Sequence, residues 1–355
     1  MDSNHARDKL FFGICVLGRV CNNCPQQLDD YMRLQLTFAA GSYDFVRPLA
    51  DGTVKPDGID LVVLSGMGSG ERHHRMGHGQ EFDLCEFNAA AYLAAHDRDY
   101  PWLALPVFLH RRFRHGFVFV NPQRGIATPP DLRGKRLGGP TFLAAGNVWM
   151  RGILEEHYGA PHREISWFVE REDAVPFTPP AGLRYERVPD GVRAEKMMLD
   201  GKLDGLLSPD LPHAFLKGEA SIARLFAANK NEEIAYYKKT GIFPIMHVTL
   251  IKRELVERHP WVPNTLMKAF NQAKEIAYRR ILNPRNVALA WVRNALEEQI
   301  AILGPDPWEF GLTDKNRKNL ETLQRYCKQQ GIVRQERPLE DLFIDAGRVN
   351  IPEEV

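Results

Sequence analysis

Residues 111–121 read RRFRHGFVFVN, three arginines and a histidine at the doorway of a run that then turns apolar. Phe117, Val118, Phe119 and Val120 are nearly continuous hydrophobics, the pattern of a strand covered on both faces, and His115 takes the first strand position. The charges therefore stand at the mouth of that strand, either as a solvated loop or as the lining of a cleft that holds an anion. A second long apolar run, FPIMHVTLIKR at 243–253, lies far downstream. These two runs decide the architecture, because they are the natural places for the chain to cross from one lobe to another and to return.

Working outward, RLQLTFAAG (33–41), IDLVVLS (59–65), EFDLCEF (81–87) and WLALPVFL (102–109) read as strands separated by polar segments long enough for helices or wide loops. Strands alternating with helices argue for a parallel sheet covered on both faces. After the first crossing, DLRGKRLGGP carries a short strand and a glycine turn, and a helix is predicted from about Leu143 to Tyr158 with Gly159 as its stop. FTPPAGLRYERVPDG reads as loop around one short strand, KLDGLLSPDLP as a strand ending at Ser208, and EEIAYYKKTG as a helix. The remainder is mostly helical, ending in DKNRKNLETLQRYCKQQG with Gly331 as its stop. The expected fold is an α/β two-lobed clamshell with a cleft between the lobes and a helical C-terminal region. Residues 32–120 with 246–345 form lobe 1, residues 121–245 form lobe 2, and residues 1–31 form a poorly structured extension.

Composition supports two lobes and excludes some partners. A chain of 355 residues exceeds what a single core usually organises. Lys+Arg 46 against Asp+Glu 45 leaves no basic excess for a nucleic-acid backbone, so anion recognition has to be local. No apolar run approaches a membrane span. LFFGICVLG (Leu10 to Gly18) resembles a signal core, but Arg19 and Val20 before Cys21 supply no small-residue cleavage site, which favours the cytoplasm over the periplasm. CNNC at 21–24 lacks a partner pair for a metal site, and five cysteines clustered mostly in this head give no disulfide framework. Met32 opens the first convincing strand and is an alternative start of translation.

The series GSYD (41–44), DGTVKPDGIDL (51–61), EFDLCEFNAAAYL (81–93), PVFLHRRFRHG (106–116), DLRGKRLGGP (131–140), VWMRGIL (148–154) and TGIFPIMH (240–247) resembles the 4,5-dihydroxyphthalate decarboxylase family. That resemblance covers about Met32 to Phe343 and implies a type II periplasmic-binding-protein fold. It also implies a carboxy-lyase that removes carbon dioxide from a hydroxylated aromatic di-acid, without an organic cofactor. DLRGKR is shared widely among such clamshells, whereas FRHG with GIFPIMH is narrower. The chain departs from the family at Leu143 and Ala145, where polar residues are usual, so a more apolar cleft wall is expected.

The chemistry tests whether this is sensible. The reaction needs cations for carboxylates, a proton donor for the ring carbon, and an acceptor for a phenolic proton. Arg111 and Arg114 suit the first task, because a planar guanidinium binds a carboxylate through two parallel bonds, and Arg112 is an additional cation beside them. His115 or His247 suits the second. His247 lies in an apolar run where a polar side chain is costly without a partner. Asp44 or Glu86 suits the third, both at strand carboxyl ends where clefts of open sheets form. Tyr43, Thr141 and Ser208 are further substrate-binding candidates. Each has a plainer reading: surface ion pair, satisfied core histidine, helix cap or turn residue.

No metal site is expected. His74 and His78 are four apart in ERHHRMGHG, but glycines weaken that helix and no third ligand is tied to them, so a solvated helix is the simpler account. Trp261, Phe270 and Tyr278 recur at helical spacing as core residues. The partners expected are a small aromatic carboxylate and, where assembly occurs, further copies of the chain. The alternative functions are a solute receptor of a transporter and a ligand sensor without turnover.

Overall fold

The computed structural model describes residues 33–344. The extension 1–31, the CNNC segment and Met32 lie outside these described residues. Two sheets are present, one per lobe. The first has the order β2-β1-β3-β11-β4, from β1 (Leu34–Ala39), β2 (Ile59–Leu64), β3 (Leu84–Asn88), β4 (Trp102–Leu105) and β11 (His247–Lys252). The second has the order β10-β5-β9-β6-β7-β8, from β5 (Val118–Val120), β6 (Arg136–Gly139), β7 (Ser166–Val169), β8 (Tyr185–Arg187), β9 (Gly205–Leu207) and β10 (Ala223–Arg224). The sequence reading missed β7 and β10, both short.

Neither sheet is purely parallel. β1 runs parallel to β2 and β3, but β11 inserts antiparallel between β3 and β4. In the second sheet β5 is antiparallel to β9 and β10, while β6 is parallel to β7 and β9. The reason is topological: a strand that returns from the other lobe enters its sheet from the opposite end. β3 and β11 are buried nearly throughout, as a central pair covered on both faces must be.

The helices used below are α1 (Ser69–His74), α2 (Ala89–His96), α3 (Ala145–Tyr158), α4 (Asn229–Thr240), α5 (Val262–Leu282), α6 (Val292–Leu303) and α7 (Asp314–Gln329). α1 runs on into a π-helical turn at Arg75–Gly79. Asn88 caps α2 by accepting from Ala90 N and Ala91 N, and Gly159 ends α3 at a positive φ of 67° that favours glycine. Phe270 of α5 is core, packing edge-on against Phe38, whereas Trp261 is exposed and Tyr278 donates to Asp306 at 2.7 Å.

The two crossing segments lie side by side. Arg111 and Ile245 form an antiparallel bridge, Arg112 N donates to Pro244 O at 3.1 Å, and Met246 N donates to His110 O at 2.9 Å. α7 braces this pair from behind. Asn319 donates to Phe243 O at 2.6 Å and accepts from Ile245 N at 3.1 Å, while Trp149 of α3 donates to Ile245 O at 2.8 Å. α7 also packs against α2 and α3, with Tyr326 bonded to Glu156 at 2.8 Å and Gln330 to Arg151 at 2.7 Å, so it touches elements of both lobes.

Arg111 belongs to this brace. Its buried guanidinium donates to Asn316 Oδ1 at 2.5 Å and to Glu309 O at 3.0 Å. Arg112 has one long bond, to Pro209 O at 3.3 Å. Arg111→Ala is expected to lower unfolding stability by about 2–3 kcal/mol in urea titrations, because charge-assisted bonds to buried acceptors are lost. Arg112→Ala is expected to change it by less than about 0.5 kcal/mol.

Candidate active site

The extended crossing segment has the two-residue periodicity of a strand, and this sorts its side chains. His110, Arg112 and Arg114 face a cleft of about 670 Å³ between the lobes. Arg111 and His115 face the other way. A spacing of three in extended backbone cannot aim two side chains at one side, so Arg111 is a bracing residue and not a carboxylate clamp. His115 lies in a 3-10 turn before β5, fully buried among Tyr158, Phe226 and Tyr236 with both ring nitrogens unpartnered. Burial, then the nearby His157, lowers its pKa to about 4. It is no proton donor to the cleft.

On the cleft floor the register of β3 and β11 sets Asn88 opposite His247 and Glu86 opposite Thr249, with all four side chains on one face. Glu86 is completely buried and receives four donors. Its Oε1 accepts from Tyr43 Oη at 2.6 Å and from His247 Nδ1 at 2.5 Å. Its Oε2 accepts from Arg72 Nη2 at 2.6 Å and from Gly41 N at 2.7 Å. Burial alone would raise this carboxyl, but His247, Arg72 and Tyr43 override it and hold it well below the usual carboxylate range. Burial and the adjacent Glu86 push the Tyr43 hydroxyl well above its ordinary range, so it stays a neutral donor.

With Nδ1 engaged by Glu86, His247 leaves Nε2 to the cleft it lines. Its ring stands edge-on between those of His73 and His110, with centroids 4.8 and 4.6 Å away. Burial, then the charge of His247, pushes both neighbours well below the ordinary imidazole range. Glu86, His110 and His247 place ligand atoms within 4.8 Å of one another and are the described residues that could hold a cation. Both Glu86 oxygens are already taken, so a metal would have to displace Tyr43 or His247.

Arg114 is buried, donates to Ser208 O at 2.9 Å, and lies over the Phe117 ring at 4.8 Å. Arg112 approaches the same ring at 5.0 Å. Burial, then the Arg112 charge, lowers the Arg114 guanidinium to about 10. Two neighbouring cations bonded only to carbonyls form a site that an anion would relieve. Gly146 is required beside them, since a Cβ there would lie 2.5 Å from Arg114 Nε.

The remaining candidates divide. Tyr43 and Thr141 line the cleft. Thr141 is not a helix cap, because α3 starts at Ala145. Its hydroxyl instead faces the Asp173 carboxylate, which also accepts from Leu143 N at 2.7 Å. Asp44 is half-exposed and paired with Arg47 at 3.7 Å, outside the cleft, because its turn bends outward after Tyr43. Ser208 contributes only its carbonyl, to Arg114. Leu143 is buried away from the cleft, and Ala145 forms part of its wall. His74 and His78 are exposed, with rings 4.4 Å apart. Sequence reading missed Arg72, His73, His110, Arg171 and Asp173. Only His110 left a signal, the same two-residue period as Arg112 and Arg114.

No family model matches the chain. It is 33% identical over 291 residues to the 4,5-dihydroxyphthalate decarboxylase of Comamonas testosteroni, covering 79% of this chain and 88% of that one. It is 30% identical over 213 residues to the 4,5-dihydroxyphthalate decarboxylase of Pseudomonas putida, covering 58% and 82%. Among solved structures it is similar to the periplasmic aliphatic sulphonate binding protein of Escherichia coli, with a TM-score of 0.53 and 12% identity over 91% of this chain and 96% of that one. Likeness at that identity bears on the fold, a two-lobed periplasmic-binding-protein clamshell, and not on the ligand. Among the described residues no helix is long and apolar enough to cross a membrane.

His115 provides a test of which histidine serves the cleft. Its pKa is lower in the folded protein than in the unfolded chain, so the unfolded chain binds the proton first. Stability is therefore lost as pH falls from about 6.5 towards about 4. His115→Phe is expected to abolish this component, about 3 kcal/mol when complete, while remaining neutral or stabilising at pH 8. Urea unfolding of both proteins across that pH range measures the difference.

Proposed function

Because the chain belongs to the 4,5-dihydroxyphthalate decarboxylase family, we propose that it decarboxylates a hydroxylated aromatic di-acid of the 4,5-dihydroxyphthalate type, releasing carbon dioxide and a dihydroxybenzoate. The observation that carries this reading is the pairing, across one cleft, of two guanidinium groups without carboxylate partners, Arg112 and Arg114, with a histidine backed by a buried carboxylate. The arginines bind the carboxylate end of the ring.

His247 delivers a proton from Nε2 to the ring carbon that bears the departing carboxylate. Electron density pushed from the phenolic oxygen para to that carbon makes it basic enough to accept the proton. The carbon–carbon bond to the carboxylate then breaks, its electron pair returns to the ring, aromaticity is restored, and carbon dioxide leaves. One proton is consumed per turnover, and His247 regains it from solvent. Glu86 fixes the imidazole through Nδ1, and Tyr43 and Arg72 keep Glu86 ionised and still. No step requires a redox cofactor, because the ring itself stores the electrons. A receptor would use the same arginines, but would have no need for a fully buried carboxylate behind a histidine.

Incubation with 4,5-dihydroxyphthalate is expected to evolve one equivalent of carbon dioxide. His247→Gln should lower kcat by about 10²–10⁴-fold, and Arg114→Ala should raise KM by about 10-fold or more. Tight binding of the di-acid by the wild-type protein without gas release would refute the catalytic reading.

A further inference from the structure

The cleft has two ends, and they differ in charge. The positive charges of Arg112 and Arg114 act on His110 at one end of the histidine row. That of Arg171 acts on His73 at the other. Arg171 follows β7 in the second lobe and reaches the first, where a Cβ on Gly70 of α1 would lie 2.6 Å from its Nη1. The acids flanking it in the chain are committed elsewhere: Glu170 pairs with Arg193 at 3.3 Å and Glu172 with Arg187 at 2.8 Å. Across the gap, Glu71 pairs with Arg75 at 3.4 Å. Arg171 is thus an unpaired cation among the described residues that line the cleft.

Its surroundings are not those of a carboxylate site. Glu71, Glu172 and Asp173 all line this end, and Asp173 is buried. At the opposite end the lining carboxylate is the exposed Asp210. A guest with carboxylates at one end and hydroxyls at the other is therefore oriented by charge. The carboxylates face Arg112 and Arg114, and the hydroxyls face a mixed end that offers both a cation and hydrogen-bond acceptors. Asp173, which burial raises to about 6, is suited to accept a hydroxyl proton there.

We propose that Arg171 is a catalytic and specificity-determining residue that holds the electron-donating ring oxygen as a phenolate, with Asp173 as the acceptor of its proton. This rests on the decarboxylase reading and adds to it the half of the reaction that His247 does not perform. The O–H bond of the phenol breaks, its proton passes to Asp173, and the electron pair remaining on oxygen is stabilised by the guanidinium while it pushes into the ring. When the carbon–carbon pair returns to the ring after carbon dioxide leaves, the product phenolate takes the proton back from Asp173.

The test uses two probes, phthalate and 4-hydroxyphthalate, which differ by one hydroxyl. The readouts are equilibrium binding and ultraviolet difference spectra. Wild-type protein is expected to bind 4-hydroxyphthalate with the red-shifted absorbance of a phenolate at a pH where the free probe is a phenol. Arg171→Ala should abolish that shift and weaken 4-hydroxyphthalate while leaving phthalate affinity within about 2-fold; it should also lower kcat on 4,5-dihydroxyphthalate by about 100-fold. Arg171→Lys should restore part of each. Gly70→Ala, which keeps the arginine but intrudes on its place, should reproduce the spectral loss and guards against a variant that fails to fold. Equal weakening of both probes would overturn the proposal by making Arg171 a carboxylate clamp, and so would an unchanged difference spectrum. If the wild type evolves no carbon dioxide yet shows the phenolate spectrum, it is the decarboxylase reading that fails.

Discussion

The Glu86 carboxylate is the interaction on which the rest depends. A fully buried charge is costly unless paired and fully hydrogen-bonded. Here the four donors come from three separate parts of the chain: the loop after β1 through Gly41 and Tyr43, α1 through Arg72, and the return strand through His247. None of these segments can shift without exposing or orphaning the charge. The same contacts that satisfy Glu86 aim His247 at the cleft and fix the loop carrying Tyr43. Stability and site geometry are therefore one constraint in this lobe.

The second constraint is the pleat of the crossing segment. Between β4 and β5 the chain runs extended against Pro244–Met246, so successive side chains leave it in opposite directions. One set, His110, Arg112 and Arg114, faces the cleft, the two arginines supplying charge and His110 a neutral ring. The other, Arg111 and His115, is consumed by packing, Arg111 as a charged brace into α7 and His115 in an aromatic cage. The brace gives the junction between the lobes a stiff back, while the cleft side keeps its cations bonded only to carbonyls. Such groups are ready to exchange weak partners for a strong one.

Charge across the cleft is graded. Two arginines bonded to no carboxylate crowd one end, neutral histidines flank a central one, and arginine mixed with several acids occupies the far end. For a ring bearing carboxylates on one side and hydroxyls on the other, this gradient selects one orientation and sets the central histidine beside the ring. Orientation by field needs few contacts, which suits a cleft whose wall includes the apolar Ala91, Ala144, Ala145 and Met246.

Much of the fold was legible in the sequence. Strand and helix periodicities located β1 to β6, β9, β11 and the long helices, and the two apolar runs marked the crossings, because periodicity is a property of neighbouring residues. Residue types and motifs also pointed to His247, Tyr43, Arg114 and Thr141, which line the cleft, and to Glu86 buried behind them. What the sequence left open was direction. Whether Arg111 or Arg112 faces the guest, whether His115 is displayed or entombed, and whether Arg72, His73, Arg171 and Asp173 reach the cleft all depend on pairings between segments tens of residues apart. Those were decided only when β11 inserted beside β3 in a single register and the second lobe folded back over α1, since a side chain's surroundings are set by what packs against it rather than by what precedes it in the chain.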